Sequence, residues 1–150
     1  MKPMSDFSRH FYLDACSSTP LRQDVIDRMN YINKTIFGNP SSLHNHGISA
    51  AKVLEKSRLS IANKLNSSYD QLIFTSGATE SVNLAIRGIA NSISPATIVI
   101  SSVEHPSVKS AAESLIKLGW KIRYWPVDKK GNINIDLIDD MLKPPTKIVS

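Results

Sequence analysis

Only one cysteine, Cys16, stands among the 150 residues. That scarcity excludes an intramolecular disulfide and a cysteine-ligated metal cluster, and it fits a reducing compartment, so cytoplasmic localisation is expected. Equally missing is any stretch near the roughly 18 consecutive apolar residues that a membrane span needs. The opening segment, Met1 to Phe11, carries charges where a secretory signal would carry an apolar run. Long runs of one charge are absent too. Lysine and arginine total 18 against 13 acidic residues, a net charge of +5, yet the longest basic run is Lys129-Lys130 and the cations scatter from Lys2 to Lys147. Such scatter describes a solvated surface rather than a stripe for a phosphate backbone, so neither nucleic acid nor membrane is an expected partner. No internal repeat, low-complexity tract or convincing linker divides the chain.

What is present reads as a globular α/β protein, with 41% hydrophobic and 21% charged residues. A short extended piece, Phe11 to Asp14, leads through the turn Ser17-Ser18-Thr19-Pro20 to a helix over about 21–36 that would bury Val25, Met29 and Ile32. The Gly-, Asn-, Pro- and Ser-rich loop Phe37 to Ser42 precedes a second helix over about 47–65, with Ala50, Leu54, Ile61 and Leu65 as its apolar stripe. Beyond Asn66 the rhythm changes. Strands are expected over 71–75, 97–101 and 121–127, with a fourth opening at Lys147; helices are expected over 79–93, 106–118 and 136–142. Alternation of this kind predicts an open, mainly parallel sheet with helices on both faces.

In such a sheet, ligands bind beyond the carboxyl ends of the strands, beside the helix starts that follow. Two segments fall there. Thr75-Ser76-Gly77-Ala78-Thr79-Glu80 is a strand, a glycine turn and a helix start, where free N–H groups and the positive end of the helix dipole can hold an anion. The same spacing also makes an ordinary helix cap without a ligand. Ser102-Val103-Glu104-His105-Pro106 closes the next strand, and Pro106 suits the first helical position, leaving His105 at the boundary. A lone histidine there has a purely structural alternative. Together, however, a phosphate cradle and a flat ring one strand away match the two halves of pyridoxal 5′-phosphate (PLP).

Four separated motifs then occur in register. Phe11-Tyr12-Leu13-Asp14 with Thr19-Pro20, Phe37-Gly38-Asn39-Pro40-Ser41-Ser42 with His44, Gly47 and Ala50, Phe74 to Ser81 with Asn83-Leu84-Ala85, and Glu104-His105-Pro106-Ser107-Val108 resemble the cysteine desulfurases among the class V aminotransferases. The resemblance implies a PLP-transferase of fold type I, normally a homodimer, that converts L-cysteine to L-alanine and passes the sulfur to a protein persulfide. Sulfur acceptor or scaffold proteins for iron–sulfur cluster or thio-cofactor assembly are the implied partners. Residues 1–66 would form an amino-terminal segment with two helices and an active-site loop, and residues 67–150 the first part of the large PLP-binding domain. By the same resemblance, Ala78 and Thr79 contact the cofactor phosphate. His105 stacks on its ring and assists proton transfer, and Asn39, Ser41 and His44 lie at the active-site mouth.

The sequence departs from the family pattern at Ala15-Cys16-Ser17-Ser18, where small residues should preserve the turn, and at His46, expected to be exposed. The anchoring lysine, the acidic partner of the pyridine nitrogen, the substrate-binding arginine and the nucleophilic cysteine all fall beyond residue 150 in the family. Cys16, in the amino-terminal turn, is expected to be a buried structural residue. Because the apolar run at Lys147 to Ser150 stops as a strand begins, the chain reads as truncated there and inactive by itself. Alternatives are a non-catalytic remnant, or part of another class V enzyme such as a selenocysteine lyase or an aminotransferase.

Overall fold

The computed structural model describes residues 11–150. They divide into two compact units, one running through Leu72 and the other spanning Ile73–Ser150.

In the first unit, helix α1 (Gln23–Thr35) carries Asp24 in its first turn and Lys34 in its last, the arrangement that complements the helix dipole. Its period is as expected, but its burial is not. Val25 and Met29 are exposed, and no residue of α1 is buried. Periodicity sets a helix's apolar face, whereas burial requires a second surface against it. Helix α2 (Asn45–Lys64) behaves likewise: Gly47, Ala50 and Ala62 are buried, while Leu54, Ile61 and Leu65 of the expected stripe are exposed. A 3-10 turn, Tyr69–Gln71, follows, and the Arg58 guanidinium donates to the Leu72 carbonyl, tying this turn back to α2.

The second unit holds the core. Helix α3 (Ala78–Ser92) precedes strand β1 (Thr97–Ser101). Helix α4 (Pro106–Ser114) tightens into a 3-10 turn that ends at Gly119, whose φ of 88° is the left-handed cap conformation that glycine adopts without a Cβ clash. Strand β2 (Lys121–Trp125), helix α5 (Ile138–Leu142) and strand β3 (Thr146–Val149) complete the unit. The sheet is parallel in the order β2-β1-β3, with Ile98 opposite Ile122 on one side and Ile148 on the other.

Alternation along β1 explains the two faces. Ile98 and Ile100, both fully buried, join Ile86 and Ala90 of α3 and Ala111 and Ala112 of α4, together with Leu115. Val99 points the other way, to Trp125 and Met141. From β1 the chain crosses through α4 to β2, then back through α5 to β3. The two crossovers run in opposite directions, so keeping both right-handed places α4 and α5 on opposite faces.

The strand expected over 71–75 does not form. Residues 72–75 lie outside the sheet, and Ile73 and Phe74 are exposed. Their composition suits a strand, but a strand is stabilised by a neighbour's backbone, and residues 72–75 pair with none of β1, β2 and β3.

Candidate functional site

The helix start expected to hold an anion is that of α3, in the second unit. Ser81 N–H makes the first intrahelical bond, to the Gly77 carbonyl at 3.1 Å. The N–H groups of Ala78, Thr79 and Glu80 lie ahead of that bond, as the orphan donors of a helix start. Thr75 braces the turn: its hydroxyl lies 2.6 Å from the Ser81 hydroxyl and 3.2 Å from the Gly77 carbonyl, to which it donates. Ala78 and Thr79 are exposed. A Cβ built on Gly77 would meet nothing within 4 Å, so the backbone there is uncrowded on that side.

Sequence reasoning missed Glu80 as a structural member of this turn. Its Oε2 accepts from the Ser76 N–H at 2.6 Å and from the Ser76 hydroxyl at 2.7 Å. Those bonds, the backbone one foremost, hold its carboxyl below the usual range. A Glu three residues into the helix, reaching back across the turn, was the available signal. Because Ser76 N–H is already engaged, the donors left for an anion are those of residues 78–80 and the Thr79 hydroxyl.

His105 occupies the amino cap of α4, the helix that packs beside α3 on the same face. The turn leading to it is set by Ser101, whose carbonyl accepts from Glu104 N–H at 3.4 Å and whose hydroxyl accepts from Val103 N–H at 3.2 Å. The imidazole is exposed. Its Nδ1 accepts from Ser107 N–H at 3.2 Å and lies 2.8 Å from the Ser107 hydroxyl. A bare helix start offers phosphate donors, and an exposed ring pinned at one edge offers a face for stacking. This donor set fits PLP as far as its phosphate and ring are concerned.

Asn39, Ser41 and His44 belong to the first unit, where they build a tight loop. Asn39 Oδ1 accepts from Ser41 N–H and its carbonyl accepts from Ser42 N–H, both at 2.9 Å. His44 caps α2 by accepting from Gly47 N–H on Nδ1 at 3.3 Å. His46 is exposed, as expected, and stacks on Phe37 with ring centroids 5.0 Å apart. The turn at Asp14 survives its unusual residues, with Ser17 N–H bonded to the Asp14 carbonyl at 3.0 Å. Cys16 is a correction: it is exposed, its Sγ 3.6 Å from Asp14 Oδ1. Small side chains in a surface turn lack the packed neighbours that would bury a thiol. Among the described residues, no cluster of three His, Cys, Asp or Glu residues is placed to hold a metal, and no helix is long and apolar enough to cross a membrane.

A parallel α/β unit with an open helix start and a histidine cap on neighbouring helices is the framework of a PLP-transferase, and the chain belongs to the aminotransferase class-V family, which it matches over residues 11–150. Within that family its similarity is to cysteine desulfurases. It is 40% identical to the cysteine desulfurase IscS of Dictyoglomus turgidum over 144 residues, covering 95% of this chain and 36% of the relative. A solved NifS-like protein superposes with a TM-score of 0.84 at 30% identity, covering 89% of this chain and 37% of that one. SspA, solved in complex with cysteine, gives a TM-score of 0.84 at 29% identity, covering 92% and 40%. The chain thus spans little more than a third of the length of these relatives, and it shares their fold-type I architecture.

Proposed function

We propose that the chain is the amino-terminal part of a PLP-dependent cysteine desulfurase and supplies half of its cofactor site. The observation that carries this reading is the exposed start of α3, where the N–H groups of residues 78–80 precede the first intrahelical bond and a Cβ on Gly77 would meet nothing within 4 Å. Ala78 and Thr79 would hold the phosphate, and the exposed face of His105 would lie against the ring. When bound, PLP supplies an electron sink for bonds at the substrate's Cα. The whole enzyme would convert L-cysteine to L-alanine, the sulfur passing to an enzyme thiol as a persulfide. The relative solved with cysteine supports that substrate.

Homodimer formation, delivery of sulfur to acceptor or scaffold proteins for iron–sulfur or thio-cofactor assembly, and a cytoplasmic setting belong to the same proposal. So does placement of the anchoring lysine and the nucleophilic cysteine outside these 150 residues. Asn39, Ser41 and His44 would then shape the active-site mouth through the fixed Asn39 turn and the His44 cap.

The test is to add PLP and L-cysteine to the chain. PLP is expected to be retained on dialysis, without a covalent lysine adduct and with alanine formation at background. Alanine turnover by the chain alone would overturn the placement of the lysine and cysteine. Failure to retain PLP would overturn the half-site itself.

A further inference from the structure

Two donors from one residue converge on a single nitrogen of His105: the backbone N–H of Ser107 at 3.2 Å and the Ser107 hydroxyl at 2.8 Å, both on Nδ1. A backbone N–H only donates, so Nδ1 must present its lone pair, and the proton of a neutral imidazole must then sit on Nε2. With that lone pair accepting, the Ser107 hydroxyl donates as well. We infer that Ser107 is a positioning residue that fixes His105 as the Nε2–H tautomer, so that the resting ring offers its exposed edge as a hydrogen-bond donor and not as a base.

The two donors respond differently to a proton. A proton taken up by the Nε2–H ring lands on Nδ1, where the Ser107 N–H then faces another N–H and the backbone bond is lost. The hydroxyl can rotate and accept from Nδ1–H, because it carries both a proton and lone pairs. It therefore holds the ring in both protonation states, whereas the backbone holds only the neutral one. Its consequence for catalysis rests on the reading of His105 as the ring-stacking residue. Nε2 would donate to a bound ligand at rest, and it would accept a proton only after the ring's own proton has moved from Nε2 to Nδ1 and the hydroxyl has reversed. His44, with Nδ1 held by Gly47 N–H alone, carries the same tautomer without the reversible partner and serves as an internal comparison.

Nitrogen-15 NMR of the full chain labelled at histidine reads this directly, with the His105 signals assigned by their loss in His105→Gln. At a pH where the ring is neutral, the wild-type chain should show an unprotonated-type Nδ1 and a protonated-type Nε2, with the Nε2–H form favoured by roughly tenfold or more. Ser107→Thr should keep that pattern. Ser107→Ala keeps the backbone donor and so should keep the Nε2–H form, as at His44, but with a smaller excess over the Nδ1–H form, moving both signals part of the way toward the tautomer-averaged position while His44 stays unchanged. A wild-type His105 that is Nδ1–H or fully averaged would overturn the inference, as would a Ser107→Ala spectrum identical to wild type. The wild-type result stands without any substitution; should Ser107→Ala lose amide dispersion, Ser107→Cys, a weaker donor of similar shape, takes its place. Adding PLP to the same sample separates the two readings. An Nε2–H ring whose signals ignore PLP refutes the cofactor role and leaves the tautomer assignment in place.

Discussion

Glu80 is fully solvent-exposed and yet held below its ordinary pKa of 4.5, because two Ser76 donors stabilise its charged form. Since the folded pKa is the depressed one, this contribution to stability is present above about 4.5 and disappears as pH falls through the lower folded value. Ser76→Ala removes the hydroxyl but keeps the backbone donor, so Glu80 should titrate higher than in wild type while remaining below the ordinary value. Carbon-13 NMR of the carboxyl measures it, and an unmoved titration would show that the backbone bond alone sets the shift. At this scale the sequence was partly legible. Gly77 and the Thr79 hydroxyl marked the helix start, and Pro106 marked His105 as a boundary residue. Glu80 was missed although its place three residues into the helix was a signal, and Ser107 was not legible, because its role depends on a side-chain direction that spacing does not specify.

Helices and the central strand followed their patterns because each signal is local: a period, a cap or a β-branched run. The expected strand at 71–75 failed because a strand requires a partner, and composition cannot say whether one is adjacent. The expected burial of Val25 and Met29 failed for the same reason. The loop before α2 is governed instead by close approach. A Cβ on Gly47 would sit 2.3 Å from the Ser42 carbonyl oxygen, and one on Gly38 would sit 2.3 Å from the His46 carbonyl carbon and oxygen. Neither contact is with the far end of a flexible side chain, so Gly47→Ala or Gly38→Ala should destabilise the first unit by about 1–3 kcal/mol. Amide exchange should show lost protection over residues 38–50. Wild-type protection there would mean that the loop relaxes freely.

At the scale of the whole molecule, the clustered apolar core of the described residues lies in the second unit, where Leu115 is fully buried among Ile98, Ile100 and the α3–α4 contact. Leu115→Ala should cost about 2–5 kcal/mol. The loss is readable in urea by tryptophan emission, because the two tryptophans, Trp120 and Trp125, are both buried in that unit. That core sets α3 and α4 side by side, and the central proposal adds to this framework that the α3 start holds the PLP phosphate. Equilibrium dialysis of the chain against PLP and against pyridoxal, which lacks the phosphate, tests it most directly. PLP should bind at least about tenfold more tightly than pyridoxal, and Thr79→Ala should weaken PLP by about tenfold while leaving pyridoxal unchanged, as expected for one charge-assisted hydrogen bond. Equal retention of PLP and pyridoxal, or a Thr79→Ala chain that binds PLP like wild type, would contradict the account.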